Sequence, residues 1–322
     1  MDAAKKNKIK FEMKGNLSIL MGLVVLCIFF SIASSKFLSA SNFINILLQV
    51  SNVGIVAIGG MFVILTGGID LSSGSMSAIL GLFMAGFCVD NGFPVPIAIV
   101  LGIIMGIVLG FVNGLSVTRL RMSPFIVTLA MQSMLRGLGN VYSMGTTISG
   151  MPDSFNFIGG GKLWGIPFPV ILLIFLFILA HYVLSKTVFG HQVYAVGGNR
   201  EAAYLAGINV KRIELTTYLI AGGLTAVAAL VLTGRLAAAL PTAAVGLEFS
   251  AISAIVIGGG SLSGGKGNMF GTLIGVLIIG VLNNGLNLLN ISPFWSQFAQ
   301  GFIIFIAVLI DALNLRRIQD KA

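Results

Sequence analysis

Residues that could do chemistry are few and scattered. Gly260 to Lys266 reads GSLSGGK, which has the glycine-to-lysine spacing of a loop whose backbone N–H groups cradle phosphates. The next residue is Gly267, where that loop needs a Ser or Thr hydroxyl for magnesium, and the stretch ahead is apolar rather than part of a soluble domain. A glycine-rich turn accounts for it. His181 and His191 are remote in sequence from Cys27, Cys88 and any carboxylate cluster, so they suggest no metal site. No GxSxG, HExxH or paired carboxylate at helical spacing occurs. What remains is a set of neutral amides within apolar runs: Asn45, Gln49 and Asn52; Gln132 and Asn140, with Arg136 between them; Asn283, Asn284, Asn287 and Asn290; and Gln297 and Gln300. Amides both donate and accept hydrogen bonds. They suit a polyhydroxylated solute that must pass without being held tightly. They also bridge helices, at about 1 kcal/mol each, and the sequence leaves both readings open. The chain is expected not to be an enzyme and to hold no cofactor or metal of its own.

The elements that position these residues are apolar. Of 322 residues 57% are hydrophobic and 9% charged, against ~25% charged in soluble domains. Apolar segments recur at about 17–35, 43–66, 72–89, 95–117, 124–143, 165–185, 213–234, 248–259, 269–289 and 294–312. Most are long enough for ~30 Å of hydrocarbon. The eighth is too short for a straight crossing and reads as broken or re-entrant. An all-α polytopic membrane protein of about ten transmembrane helices is expected, with no separate soluble domain. Cys27 and Cys88 fall inside apolar runs and suggest no disulfide.

Charge orients the chain. With a cytoplasmic N-terminus, fifteen of the nineteen Lys and Arg fall on inside segments; Lys36, Lys162 and Arg235 fall outside and Arg136 within a span. That asymmetry is the positive-inside rule, so the net +9 sets topology rather than pointing to nucleic acid. It favours an even number of crossings, with both termini cytoplasmic. The basic N-terminus is 1–16, the single transmembrane domain 17–312, and the cytoplasmic C-terminus 313–322. Residues 2–34 also resemble a secretory signal, but the many similar spans that follow favour an uncleaved first helix.

One polar island interrupts the apolar runs, Lys186 to Arg212, and reads as a cytoplasmic loop. Within it EAAYLA (Glu201–Ala206) is rich in helix formers. Asn199 suits the N-cap, Glu201 the first turn, and Gly207 a left-handed end. Gly102, Gly106, Gly110 and Gly114 give the fourth span a bare face, either for close packing or for a sliding interface. A weak parallel repeat aligns Gly67–Ser75 (GGIDLSSGS) with Gly258–Lys266 (GGGSLSGGK). Asp70, Gly74, Gly265 and Lys266 mark these turns, and Asp70 reads either as a helix-capping carboxylate or as a gating residue. Asp70, Glu248 and Asp311 all read as close to span ends. A proton-driven carrier usually keeps an acidic residue at depth, so an external energy source is expected.

At the island, GNREAAYLAGINV (Gly198–Val210) resembles the EAA-x-x-x-G coupling loop of bacterial ABC importer permeases, although the downstream Leu-Pro is missing. ILTGGIDLSSGS (Ile64–Ser75), GGSLSGGKGNMFGTLIG (Gly259–Gly275) and LNNGLNLL (Leu282–Leu289) resemble the ribose-type monosaccharide permeases of that group. The likeness runs from about Phe37 to Asp311. It implies a vitamin B12-importer-like (type II) architecture in the bacterial inner membrane, with a homodimer, a cytoplasmic ATPase subunit that carries ATP and magnesium, and an extracytoplasmic sugar-binding protein. It assigns ATPase coupling to Glu201, Ala202, Ala203 and Gly207. On this resemblance the chain is expected to translocate ribose or a similar sugar, with Asn45, Gln49, Asn52, Asn283, Asn287 and Gln297 as possible path residues. The alternatives are a secondary carrier or facilitator working without an ATPase, and a membrane assembly or signalling protein with no path.

Overall fold

A computed structural model describes the backbone of residues 2–319 and the side chains of 17–309 apart from 293 and 307. The side chains of Lys5, Lys6, Lys8, Lys10, Lys14, Asp311, Arg316, Arg317 and Lys321, which carry much of the charge argument, lie outside the described residues. Each of the ten apolar segments falls on a helix: α1 (Asp2–Ala33), α2 (Ala40–Leu65), α3 (Ser73–Val89), α4 (Val95–Thr118), α5 (Pro124–Ser143), α7 (Phe168–Lys186), α10 (Val210–Leu236), α11 (Leu247–Ile257), α12 (Met269–Leu288) and α13 (Pro293–Gln319). Three short helices join them: α6 (Asp153–Gly160), α8 (Val188–Gly198) and α9 (Arg200–Leu205). The all-α expectation needs a small amendment. Two-residue antiparallel ribbons pair β1 (Ile148–Ser149) with β4 (Ala238–Ala239), and β2 (Lys162–Leu163) with β3 (Ile166–Pro167).

By length and composition α2, α4, α7, α10 and α12 can each cross a membrane, and α3, α11 and the apolar parts of α1 and α13 are shorter. Gln132, Arg136 and Asn140 keep α5 out of both sets. The helix starts follow local chemistry. Ser39, Asn209 and Asn268 cap α2, α10 and α12 by accepting a backbone N–H three residues on, and prolines open α4, α5 and α7.

Helices in lipid gain little from burying apolar surface against one another, so fit and hydrogen bonds decide their packing. The centre is α2 against α10, fastened by Asn52, whose amide donates to the Ala228 carbonyl at 2.8 Å. The glycine face of α4 lies on α10. A Cβ on Gly106 would stand 2.6 Å from the Gly222 carbonyl oxygen, and one on Gly110 would collide with that of Tyr218. Backbone meets backbone there, which is the close-packing reading of that face. Gly102 instead receives Met84 of α3.

Candidate functional site

The polar island folds into α8 and α9. Thr187 caps α8, its hydroxyl oxygen accepting from the Gly190 N–H at 3.1 Å. Asn199 caps α9 in the same way, accepting from the Ala202 N–H at 2.9 Å. The other end of α9 closes in a left-handed turn: Gly207 has φ +81°, its N–H donates to Tyr204 O at 2.9 Å, and the Ile208 N–H donates to Ala203 O at 3.0 Å. These paired bonds satisfy the carbonyls that a helix end leaves open. Ala203 is buried beneath α9, while Glu201 and Ala202 are exposed. Tyr204 and Leu205 are 70% and 78% exposed, an apolar pair pointing away from the bundle.

Two residues beside α9 were not singled out from sequence. Arg200 donates to Glu214 at 3.0 Å, and the Glu214 carboxylate is buried near the start of α10. One turn on, the buried Tyr218 donates to the Ile69 carbonyl at 3.3 Å. Glu214 alone could have been flagged, as a carboxylate at the start of an apolar run. A cleft of about 1420 Å³ opens beside them, lined by Glu201, Tyr204, Lys211, Arg121 and Gly67 among others.

The two glycine-rich turns lie at this same end and touch: the Gly265 N–H donates to Leu65 O at 2.9 Å. From there they diverge. Asp70 is buried, and its Oδ1 accepts from the Ser72 N–H at 2.8 Å and the Ser72 hydroxyl at 2.6 Å. Asn113 of α4 donates to that hydroxyl oxygen at 2.9 Å. Asp70 therefore holds the turn that leads into α3 through Ser72, the N-cap residue, and no side chain bonds directly to the first N–H groups of that helix. Gly74 sits in the first turn of α3 with no room for a side chain, because a Cβ would collide with Glu248 Oε2 and lie 2.5 Å from Ala244 O. Lys266 is exposed in the other turn.

Glu248 corrects an expectation. It is 2% exposed, and the Gln132 amide donates to its Oε1 at 2.7 Å. Gln132 lies eight residues along α5, about 12 Å of rise from that helix's start. Glu248 begins α11, and so stands at the end of its own segment, yet it lies beside the middle of α5, because the stretch ahead of α11 is non-helical and folds back into the bundle. Arg136 fastens that stretch, donating to Pro241 O at 2.7 Å and Ala243 O at 2.8 Å. Irregular backbone at such depth needs its carbonyls satisfied internally.

The amides divide. Asn52 is committed to α10. Asn283 accepts from Gln300 at 3.4 Å, and Gln300 accepts from Ser250 at 3.2 Å. Asn284 donates to Asn42 at 2.8 Å, tying α12 to α2. Gln49 is half-buried, and Asn45, Asn287 and Gln297 are exposed. Three of the six path candidates therefore keep open faces, two are engaged in contacts between helices, and Gln49 lies between. Among the described residues no group of three or more His, Cys, Asp or Glu could hold a metal ion.

A family model described as branched-chain amino acid transport system / permease component matches residues 42–308. A ribose import permease protein of Bacillus subtilis (strain 168) is 48% identical over 310 residues, covering 95% of this chain and 96% of that protein. One of Escherichia coli (strain K12) is 41% identical over 299 residues, covering 91% and 92%. A xylose transport system permease protein of Haemophilus influenzae is 36% identical, covering 95% of this chain and all of that protein. No solved structure matches.

Proposed function

Because this chain belongs to the ribose-type sugar permease family of ABC importers, we propose that it is the membrane-spanning subunit through which ribose or a similar monosaccharide crosses the bacterial inner membrane. ATP and magnesium act on a separate cytoplasmic ATPase subunit, a binding protein delivers the sugar from outside, and two copies of the chain enclose the path. The reading includes about ten crossings, type II architecture, and both termini on the ATPase side.

The observation that carries the ATP-driven mechanism is α9. It is a capped helix at the bundle's end, with Tyr204 and Leu205 exposed and its base anchored through Arg200 to Glu214. An ATPase groove that buried those two side chains would hold α9 as a lever. Glu201 in the first turn favours the helix dipole, Ala203 seats the helix, and Gly207 supplies a left-handed conformation that glycine adopts without the strain other residues meet there. In the reconstituted complex, Gly207→Pro is expected to reduce sugar-stimulated ATP turnover to its basal rate while membrane insertion stays normal. Stimulation at the unaltered rate would remove the coupling role.

One observation favours a second reading. Asp70 and Glu248 are both buried and border one small cavity, and acidic residues at depth are what a proton-coupled carrier uses. Against it, Asp70 is bonded to Ser72 and Glu248 to Gln132, so both carboxylates are engaged in contacts that hold the bundle together. Ribose uptake by the purified chain alone in liposomes under a pH gradient would establish the carrier. Uptake that requires the ATPase would exclude it.

A further inference from the structure

Movement of α9 can reach the bundle only through what α9 touches. On its far side the chain runs into α10. On its near side α8, whose Val193 and Val196 are buried in the core, ends in a contact where backbone meets backbone. A Cβ on Gly197 would collide with the Leu65 carbonyl oxygen and stand 2.5 Å from the Gly265 nitrogen. One on Gly265 would lie 2.8 Å from both the N and Cα of Gly198. One on Gly264 would lie 2.9 Å from the Gly67 nitrogen and 3.1 Å from Gly197 O. Three chain segments meet here: the end of α2, the end of α8 and the turn ahead of α12. Two side-chain contacts run alongside. The Tyr194 hydroxyl donates to Gly267 O at 2.9 Å, and Phe189 stacks on Phe62 with centroids 6.3 Å apart. Asn199, the cap of α9, is the next residue but one after Gly197.

A contact between backbones has no rotamers with which to absorb a displacement, and close-packed interiors transmit strain. The two helices on its far side are also fastened together at their other ends, through Asn284 and Asn42. A push on α8 and α9 therefore meets α2 and α12 as one unit, the unit that carries Asn45, Gln49 and Asn287. We propose that this glycine junction is the joint through which movement of α9 reaches α2 and α12, with Gly197 as its positioning residue. The inference rests on the reading of α9 as the ATPase docking helix.

The test uses the full complex of permease, ATPase subunit and ribose-loaded binding protein in proteoliposomes. Gly197→Ala is expected to retain ATPase association and basal hydrolysis, while ribose-stimulated hydrolysis and ribose uptake fall at least tenfold. Gly198→Ala is the matched control: it is one residue nearer α9, and its Cβ would meet nothing within 4 Å. It is expected to behave like the unaltered chain. Normal uptake with Gly197→Ala, or an equal loss with Gly198→Ala, overturns the joint. Should Gly197→Ala fail to insert, Tyr194→Phe is read instead. A two- to fivefold fall in stimulated turnover at unchanged association supports the joint, and undiminished stimulation overturns it. Replacing Tyr204 and Leu205 together by Ser separates the two layers. If association survives, α9 is not the docking helix and the joint falls with it. If association is lost while Gly197→Ala transports normally, the joint alone falls.

Discussion

Gly67–Ser75 and Gly258–Lys266 read almost alike, and each follows an apolar helix at the same end of the bundle. The first is a seven-residue connection, 66–72, that turns inward: Asp70, Leu71 and Ser72 are buried in it, and Ser73 and Ser75 are buried in the first turn of α3. The second spans 258–268 and closes on its own backbone, with Ser261 N–H donating to Lys266 O at 3.1 Å and Gly264 N–H to Ser261 O at 3.1 Å. Its lysine stays exposed. The aligned glycines also part company: Gly74 is inside α3, while Gly265 sits at φ +70° in the turn. With four more residues the second turn makes bonds within itself, and its outward bonds run through its backbone, from Gly265 N–H to Leu65 O and from the Tyr194 hydroxyl to Gly267 O. The shorter first turn is held by side chains, the Asp70 carboxylate, the Ser72 hydroxyl and Asn113 from α4. Similar composition thus serves as a buried polar knot in one place and as a backbone-to-backbone contact with an exposed lysine in the other.

Four substitutions would break or sharpen that contrast. The largest effect is expected from Asp70→Ala, which strips two buried donors on Ser72 of their acceptor, a loss of roughly 1–3 kcal/mol. Thermal unfolding in detergent should show a clear drop, and an unchanged midpoint would mean the first turn is not a knot. Gly74→Ala comes next, because its methyl group must displace Glu248 and the Ala244 backbone, an overpacking cost of about 1–3 kcal/mol. Glu248→Gln alone should not reproduce that drop, since an amide still reaches Gln132. Smallest is Lys266→Ala, expected within ~0.5 kcal/mol and with normal ribose uptake. A large loss there would erase the difference between the turns.

The parts of the site legible in the sequence were those built from local bonds. Asn199 capping Ala202, Glu201 in the first turn and Gly207 in a left-handed closure all span fewer than ten residues, and each type has few other uses at that spacing. The glycine face of α4 was legible for a similar reason, since a four-residue period marks one side of a helix. Glu248 was misplaced because hydropathy records how apolar a segment is, not whether its chain folds back to mid-depth. The path amides were read as a set because period alone cannot tell an amide donating to a neighbouring helix, such as Asn52, from one left open, such as Asn287.

Sequence by itself determined that this chain is a bundle of apolar helices, where the polar island interrupts it, and how the island's short helix begins and ends. These follow from composition and from hydrogen bonds between residues three or four apart. Only the tertiary structure decided which turn is buried, that Glu248 meets Gly74 and Gln132, and that Gly197 fits between Leu65 and Gly265. Those contacts join residues dozens to more than a hundred positions apart. They depend on how whole helices pack, and in a chain where nearly every helix is apolar, hydropathy carries no information about which face meets which.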